Sequence, residues 1–247
     1  MTINSDQDRL KKLEEIDRTL DAIKDKVGSS NKPIFVELIG TPKSGKTTLK
    51  NAMQKAFEKK GIPLVTRRET AEYNPIPKES EHYNFWMILE LMKNISEDFA
   101  NGKGKVVLYD RGLVDRIPWM KCDINQGKMS EEDYQRIISL YHSKYLKEYK
   151  PITQAFFTSP RLSILRKGSE GRFVNTRTLT AYNAILGQEL NHIRQISSKT
   201  NVTITDQYQG YLNDFLIDQM FEISRDLNGE IDKKVKAKTV DTEEHIV

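Results

Sequence analysis

Eight residues, Gly40, Thr41, Pro42, Lys43, Ser44, Gly45, Lys46 and Thr47, follow the spacing G-x-x-x-x-G-K-T, with Thr48 immediately behind. That spacing suits a phosphate. Glycines let successive backbone N–H groups turn inward, a lysine after the second glycine reaches the β- and γ-phosphates, and the next hydroxyl sits on Mg²⁺. The plainer reading is a glycine-rich turn between a strand and a helix. The flanks favour the phosphate: Ile34, Phe35, Val36, Leu38 and Ile39 in front form an apolar strand, and an amphipathic run behind forms a helix whose positive end faces the loop.

Two acid–arginine pairs supply further chemistry. Arg68 and Glu69 follow a short strand expected over 62–66, and Asp110 and Arg111 follow one expected over 106–109. In an open parallel sheet the C-terminal strand ends face the ligand crevice. There Asp110 would hold Mg²⁺ with Thr47, Glu69 would be the second acid, and Arg68 and Arg111 would clamp an anionic acceptor bidentately. Structural ion pairs at strand ends are the competing reading. Residues 160–176 place Arg161, Arg166, Lys167 and Arg172 around Gly168 and Gly171, a basic segment able to close as a lid and exclude water. Phe85 and Trp86, on a helix expected over 82–100, are candidates to stack on a substrate base, although helix aromatics usually belong to a core.

Strands and helices alternate around these residues. Further strands are expected over 152–158 and 202–206, and helices over 47–60, 131–148, 178–198 and 211–227. This is the α/β class: a parallel sheet of about five strands covered by helices on both faces. Residues 1–31 read as an amphipathic helix and linker, 32–228 as the phosphate-binding domain, and 229–247 as a charged tail expected to fray. In the first of these, Leu13, Ile16, Leu20, Ile23 and Val27 step by three and four. Such a stripe docks on its own domain or pairs with a second copy, making a homodimer.

Composition narrows the partners. The 247 residues are 37% hydrophobic and 30% charged with a formal charge of +4, which suits small anions. No compact Lys/Arg block appears outside the tail, and no aromatic-basic stripe, which argues against nucleic acid. Cys122 is the only cysteine, and one Cys with four scattered His makes neither a disulfide nor a zinc spacing. Apolar runs are too short to span a bilayer, so no membrane and a cytoplasmic location are expected.

Together the motifs resemble those of the P-loop nucleoside and nucleotide kinases, the group that includes thymidylate kinases and deoxynucleoside kinases. GTPKSGKT resembles their phosphate loop, RRET their Arg-Glu element, YDRG their Asp-Arg element, and RLSILRKGSEGR their arginine-bearing lid. The resemblance runs from about residue 33 to 227. It implies an ATP- and Mg²⁺-dependent phosphotransferase acting on a small-molecule acceptor, a nucleoside or nucleoside monophosphate. It further implies Glu69 as base or metal partner, Asp110 and Arg111 at metal and acceptor, Arg166 and Arg172 as lid arginines, and Gln207 and Tyr208 against the donor adenine. The chain departs from the pattern in having no proline after Glu69, Gly112 after Asp-Arg, and an additional N-terminal helix. Two alternatives compete: a nucleotide-dependent regulatory module that hydrolyses NTP slowly, and a kinase for polynucleotide 5′ ends. A GTPase fits poorly, because position 113 is Leu where D-x-x-G needs Gly.

Overall fold

A computed structural model describes residues 6–144, 146–168 and 174–244, with 236–244 as backbone alone. Five strands, β1 (Ile34–Gly40), β2 (Leu64–Arg67), β3 (Val106–Asp110), β4 (Ile152–Phe157) and β5 (Lys199–Ile204), form one parallel sheet in the order β2-β3-β1-β4-β5. The fold class is therefore as expected. β1 lies at the centre and every one of its residues is buried, which is why, apart from Glu37, it reads as a continuous apolar run rather than an alternating one. Pairing of Leu38 with Asp110 sets the phosphate loop beside the end of β3.

One face of the sheet carries α2 (Lys46–Lys60), with α1 (Asp6–Val27) and α8 (Leu212–Glu244). The other carries α3 (His82–Asn101), α4 (Arg116–Asn125), α5 (Glu131–Tyr141) and α7 (Thr176–Ile196). α6 (Pro160–Lys167) follows β4. Local sequence sets the ends of these helices. Ser159 accepts from the Leu162 N–H ahead of Pro160, and Gly168 closes α6 with a left-handed φ of 89°.

Several elements differ from expectation; Pro160–Lys167, within the segment expected as a basic lid, is helical, and β5 spans Lys199–Ile204 rather than 202–206. α4 was not foreseen: it is short, contains Pro118, and is buried on several sides, so it lacks a clean apolar period. The helix expected over 131–148 ends at Tyr141. The last helix does not stop at Leu227; it passes through Gly229, and Ile231 is fully buried. The apolar stripe of α1 is buried inside its own chain: Ile16, Leu20, Ile23 and Val27 join Ile223, Leu227 and Ile231 of α8. Leu10 and Leu13 remain exposed.

Candidate active site

Gly40 ends β1 with φ 122°, and a Cβ there would fall 2.1 Å from the Phe156 carbonyl oxygen, so only glycine lets β4 approach. The loop then folds on itself. Lys46 Nζ donates to the carbonyls of Gly40 (3.1 Å) and Thr41 (2.8 Å) and to Ser44 Oγ (3.1 Å). Gly45 caps α2 without offering a side chain, which leaves the first-turn N–H groups without a side-chain cap. Burial pushes the Lys46 ammonium down to about 7, with Arg111 acting in the same direction. A buried cation held on backbone carbonyls gains most when an anion arrives.

Thr47 Oγ1 donates to Asp110 Oδ2 at 2.8 Å, and Lys50 Nζ lies 3.4 Å from the same oxygen. Asp110 Oδ1 is buried with no hydrogen-bond partner among the described residues. A buried, unsatisfied carboxylate oxygen beside a hydroxyl is a donor set that fits a hard cation such as Mg²⁺.

Arg111 is in the left-handed region at φ 64°, as is Lys43 in the phosphate loop at φ 63°. Such residues occur where surroundings over-determine them, commonly at functional sites. Arg111 Nε lies 3.2 Å from Glu69, and its Nη1 donates to Asp115 Oδ2 at 2.7 Å. Asp115 is the hub of the site. Its Oδ2 also accepts from Arg116 (3.0 Å) and the Trp119 indole (3.1 Å), while Oδ1 accepts from the Gly40 N–H (3.0 Å) and the Tyr182 hydroxyl (2.8 Å). Burial alone would raise its pKa, but Arg111, Arg116, Lys46 and the Gly40 N–H hold it down at about 2.

Glu37, in the middle of β1, is buried beneath this cluster. Its Oε1 accepts from the Asp115 N–H (2.8 Å) and Oε2 from the Tyr149 hydroxyl (2.7 Å). A Cβ on residue 112 would stand 2.6 Å from the Glu37 carboxyl carbon, which accounts for Gly112 after Asp-Arg. Burial raises the Glu37 pKa to about 7 from 4.5, against the lowering by both donors. The folded chain therefore binds more protons than the unfolded one between those values, and stability falls as pH rises through that window. Glu37→Gln keeps an acceptor for Asp115 and removes the ionisation. Lys46 adds the same pH dependence to both proteins, so the difference is the readout: relative to Glu37→Gln, the wild type is expected to lose about 2–3 kcal/mol between pH 5 and pH 8. Parallel loss in both proteins would show that another group titrates.

These residues border a cleft of about 1070 Å³ over the C-terminal edge of the sheet. One wall consists of Pro42, Lys43, Ser44, Gly45, Lys46, Thr47 and Thr48 with Arg166, Tyr208 and Phe215; the other presents Glu69, Asp110, Arg111, Tyr83, Asn84, Met87, Arg116, Trp119 and Asp123. Arg166 Nη1 donates to the Lys43 carbonyl at 3.1 Å, and Ser163 Oγ to that of Pro42 at 2.6 Å, which seats α6 on the loop. Thr41, fully buried, is anchored by Asn183 (2.5 Å) and by the Thr158 N–H (3.1 Å).

Four expected residues lie elsewhere. The side chain of Arg68 is 77% exposed and is paired with Glu72, while Arg67 turns back onto Asp98. Phe85 is exposed, and Trp86 meets the edge of Tyr73 outside the cleft. The face of α3 that meets the cleft is Tyr83, Asn84 and Met87, nearly half a turn away around the helix. Gln207 is not among the lining residues, although its neighbour Tyr208 is. Arg172 and Gly171 lie outside the described residues. The sequence reading overlooked Glu37, Asp115, Arg116, Trp119 and Tyr182. The repeated Asp-Arg of DRGLVDR was a signal that could have found the central pair.

None of the known protein-family models matches the sequence, and no curated protein does. Solved structures do match. Deoxyadenosine kinase from M. mycoides with the products dCMP and a flexible dCDP bound gives a TM-score of 0.54 at 17% identity, covering 80% of this chain and 100% of that one. The same enzyme with bound dATP gives 0.51 at 18% identity, covering 74% and 99%. The chain has the deoxynucleoside-kinase fold. Within that fold the 40–47 loop, the Asp-Arg turn and Glu69 of this chain meet at one cleft. Among the described residues no helix is long and apolar enough to cross a membrane.

Proposed function

We propose that the protein transfers the γ-phosphate of ATP to a hydroxyl of a nucleoside or nucleoside monophosphate, in the cytoplasm. One observation carries the reading: a phosphate loop with a buried lysine and an acid–arginine wall share a single cleft large enough for two substrates. A nucleotide switch has no need of the second wall.

The roles follow from position. Lys46 and the uncapped N–H groups of α2 bind the β- and γ-phosphates, and Arg166 stands over the same loop to meet charge developing on the transferred group. Thr47 and Asp110 would hold Mg²⁺, which when bound compensates charge on the phosphate oxygens. Glu69, open to the cleft beside Arg111, accepts the proton of the acceptor hydroxyl, and Arg111, fixed by Asp115, orients the acceptor. Tyr83, Met87 and Trp119 supply an apolar and aromatic surface for a base.

The deciding experiment measures ATP consumption with Mg²⁺ against nucleosides, nucleoside monophosphates and small sugar and vitamin alcohols, beside an acceptor-free control. Acceptor-dependent turnover supports the reading and names the acceptor. Turnover indifferent to acceptor points to a regulatory NTPase. Asp110→Asn is expected to lower turnover on the order of 10²-fold and to shift its Mg²⁺ dependence upward, with little change in binding of a non-hydrolysable ATP analogue. Equal loss of binding and turnover would make Asp110 structural.

A further inference from the structure

α1 and α8 run side by side in the same direction, since their ionic pairs ascend together: Arg9 with Asp214, Lys12 with Asp218, Lys26 with Asp232. The first two pairs adjoin residues that line the cleft. Lys12 Nζ is 2.6 Å from Asp218 Oδ1, and the other oxygen of that carboxylate accepts the hydroxyl of cleft-lining Tyr208 at 2.8 Å. Arg9 Nε is 2.6 Å from Asp214 Oδ1 and Nη2 donates to Oδ2 at 2.8 Å. Asp214 is only 8% exposed, so its charge requires a partner. The next residue, Phe215, packs its ring against Gly45 of the phosphate loop and edge-on to Tyr208, with centroids 5.5 Å apart.

We propose that Arg9 and Lys12 are positioning residues for the donor nucleotide: through Asp214 and Asp218 they hold Phe215 and Tyr208 against the phosphate loop, so α1 sets ATP affinity. The inference rests on the donor assignment made above. Lys26 provides the internal control. It makes the same kind of ion pair with α8, at 2.8 Å, but about 25 Å farther along the helix and away from the cleft.

The test is equilibrium binding of ATP with Mg²⁺ to the full chain by calorimetry, with thermal unfolding of each variant alongside. Arg9→Ala combined with Lys12→Ala is expected to weaken ATP binding about three- to tenfold, the range that two partly buried ion pairs can transmit. Lys26→Ala should leave affinity unchanged, and Lys12→Arg should retain it. Tyr208→Phe should weaken ATP binding too, and less than additively on top of Lys12→Ala. Unchanged affinity in the double variant, or equal weakening by Lys26→Ala, overturns the proposal by making the pairs helix docking alone. A wild-type chain that binds no ATP overturns the functional reading, and the inference with it.

Discussion

Lys46→Ala is expected to reduce phosphoryl transfer by at least about 10³-fold while the chain stays folded. The loss follows from removing the only buried ammonium in the phosphate loop among the described residues, the group placed to meet charge on the transferred phosphate. The retained fold follows from the same burial. Because desolvation lowers the Lys46 pKa to about 7 from 10.5, the charged form is disfavoured in the folded chain, and its contribution to stability improves as pH rises from about 7 towards 10.5. At neutral pH the alanine variant loses three hydrogen bonds but is also relieved of that desolvation, so its melting temperature should match or exceed that of the wild type. A folded variant that still turns over would remove the phosphate-loop assignment. A variant that unfolds would show that the lysine holds the loop rather than the nucleotide.

Asp115→Ala is expected to have the largest effect on stability, about 3–5 kcal/mol in urea denaturation. The carboxylate accepts from five donors, and without it Arg111 and Arg116, both nearly buried, keep their charges with fewer partners. The Gly40 N–H and the Tyr182 hydroxyl lose their acceptor as well. Activity should fall with stability, because Asp115 ties the phosphate loop to the Arg111 turn. A loss below about 1 kcal/mol would mean that water or neighbouring groups replace the carboxylate.

The parts of the site that were legible in the sequence are those where chemistry fixes spacing. The phosphate loop requires its glycines and lysine at set intervals, and Glu69, Asp110 and Arg111 mark strand ends that any parallel sheet turns towards its ligand. Supporting residues carry no such spacing. Asp115, Arg116 and Trp119 lie in and beside a short helix that buries charged and apolar residues alike, so no period separates a core face from a site face. Glu37 sits within a fully buried strand, where only the tertiary position of Asp115 and Tyr149 explains a carboxyl. Phe85 and Trp86 show the same limit on α3: which side of a helix meets the cleft depends on how it packs. Neither arginine at the end of β2 lines the cleft: Arg67 bonds Asp98 and Arg68 faces solvent.

The pairing of α1 with α8 also bears on how the chain is made. α1 packs on α8, some two hundred residues later in the sequence, so Ile16, Leu20, Ile23 and Val27 stay without these partners until residues 223–231 have emerged. For most of synthesis a finished amphipathic helix waits beside an unfinished sheet, a period in which chaperones would have most to bind. Arg9 and Lys12 thus wait for Asp214 and Asp218, and a product terminated before residue 214 would carry an intact 40–47 sequence without the carboxylates those two cations bind.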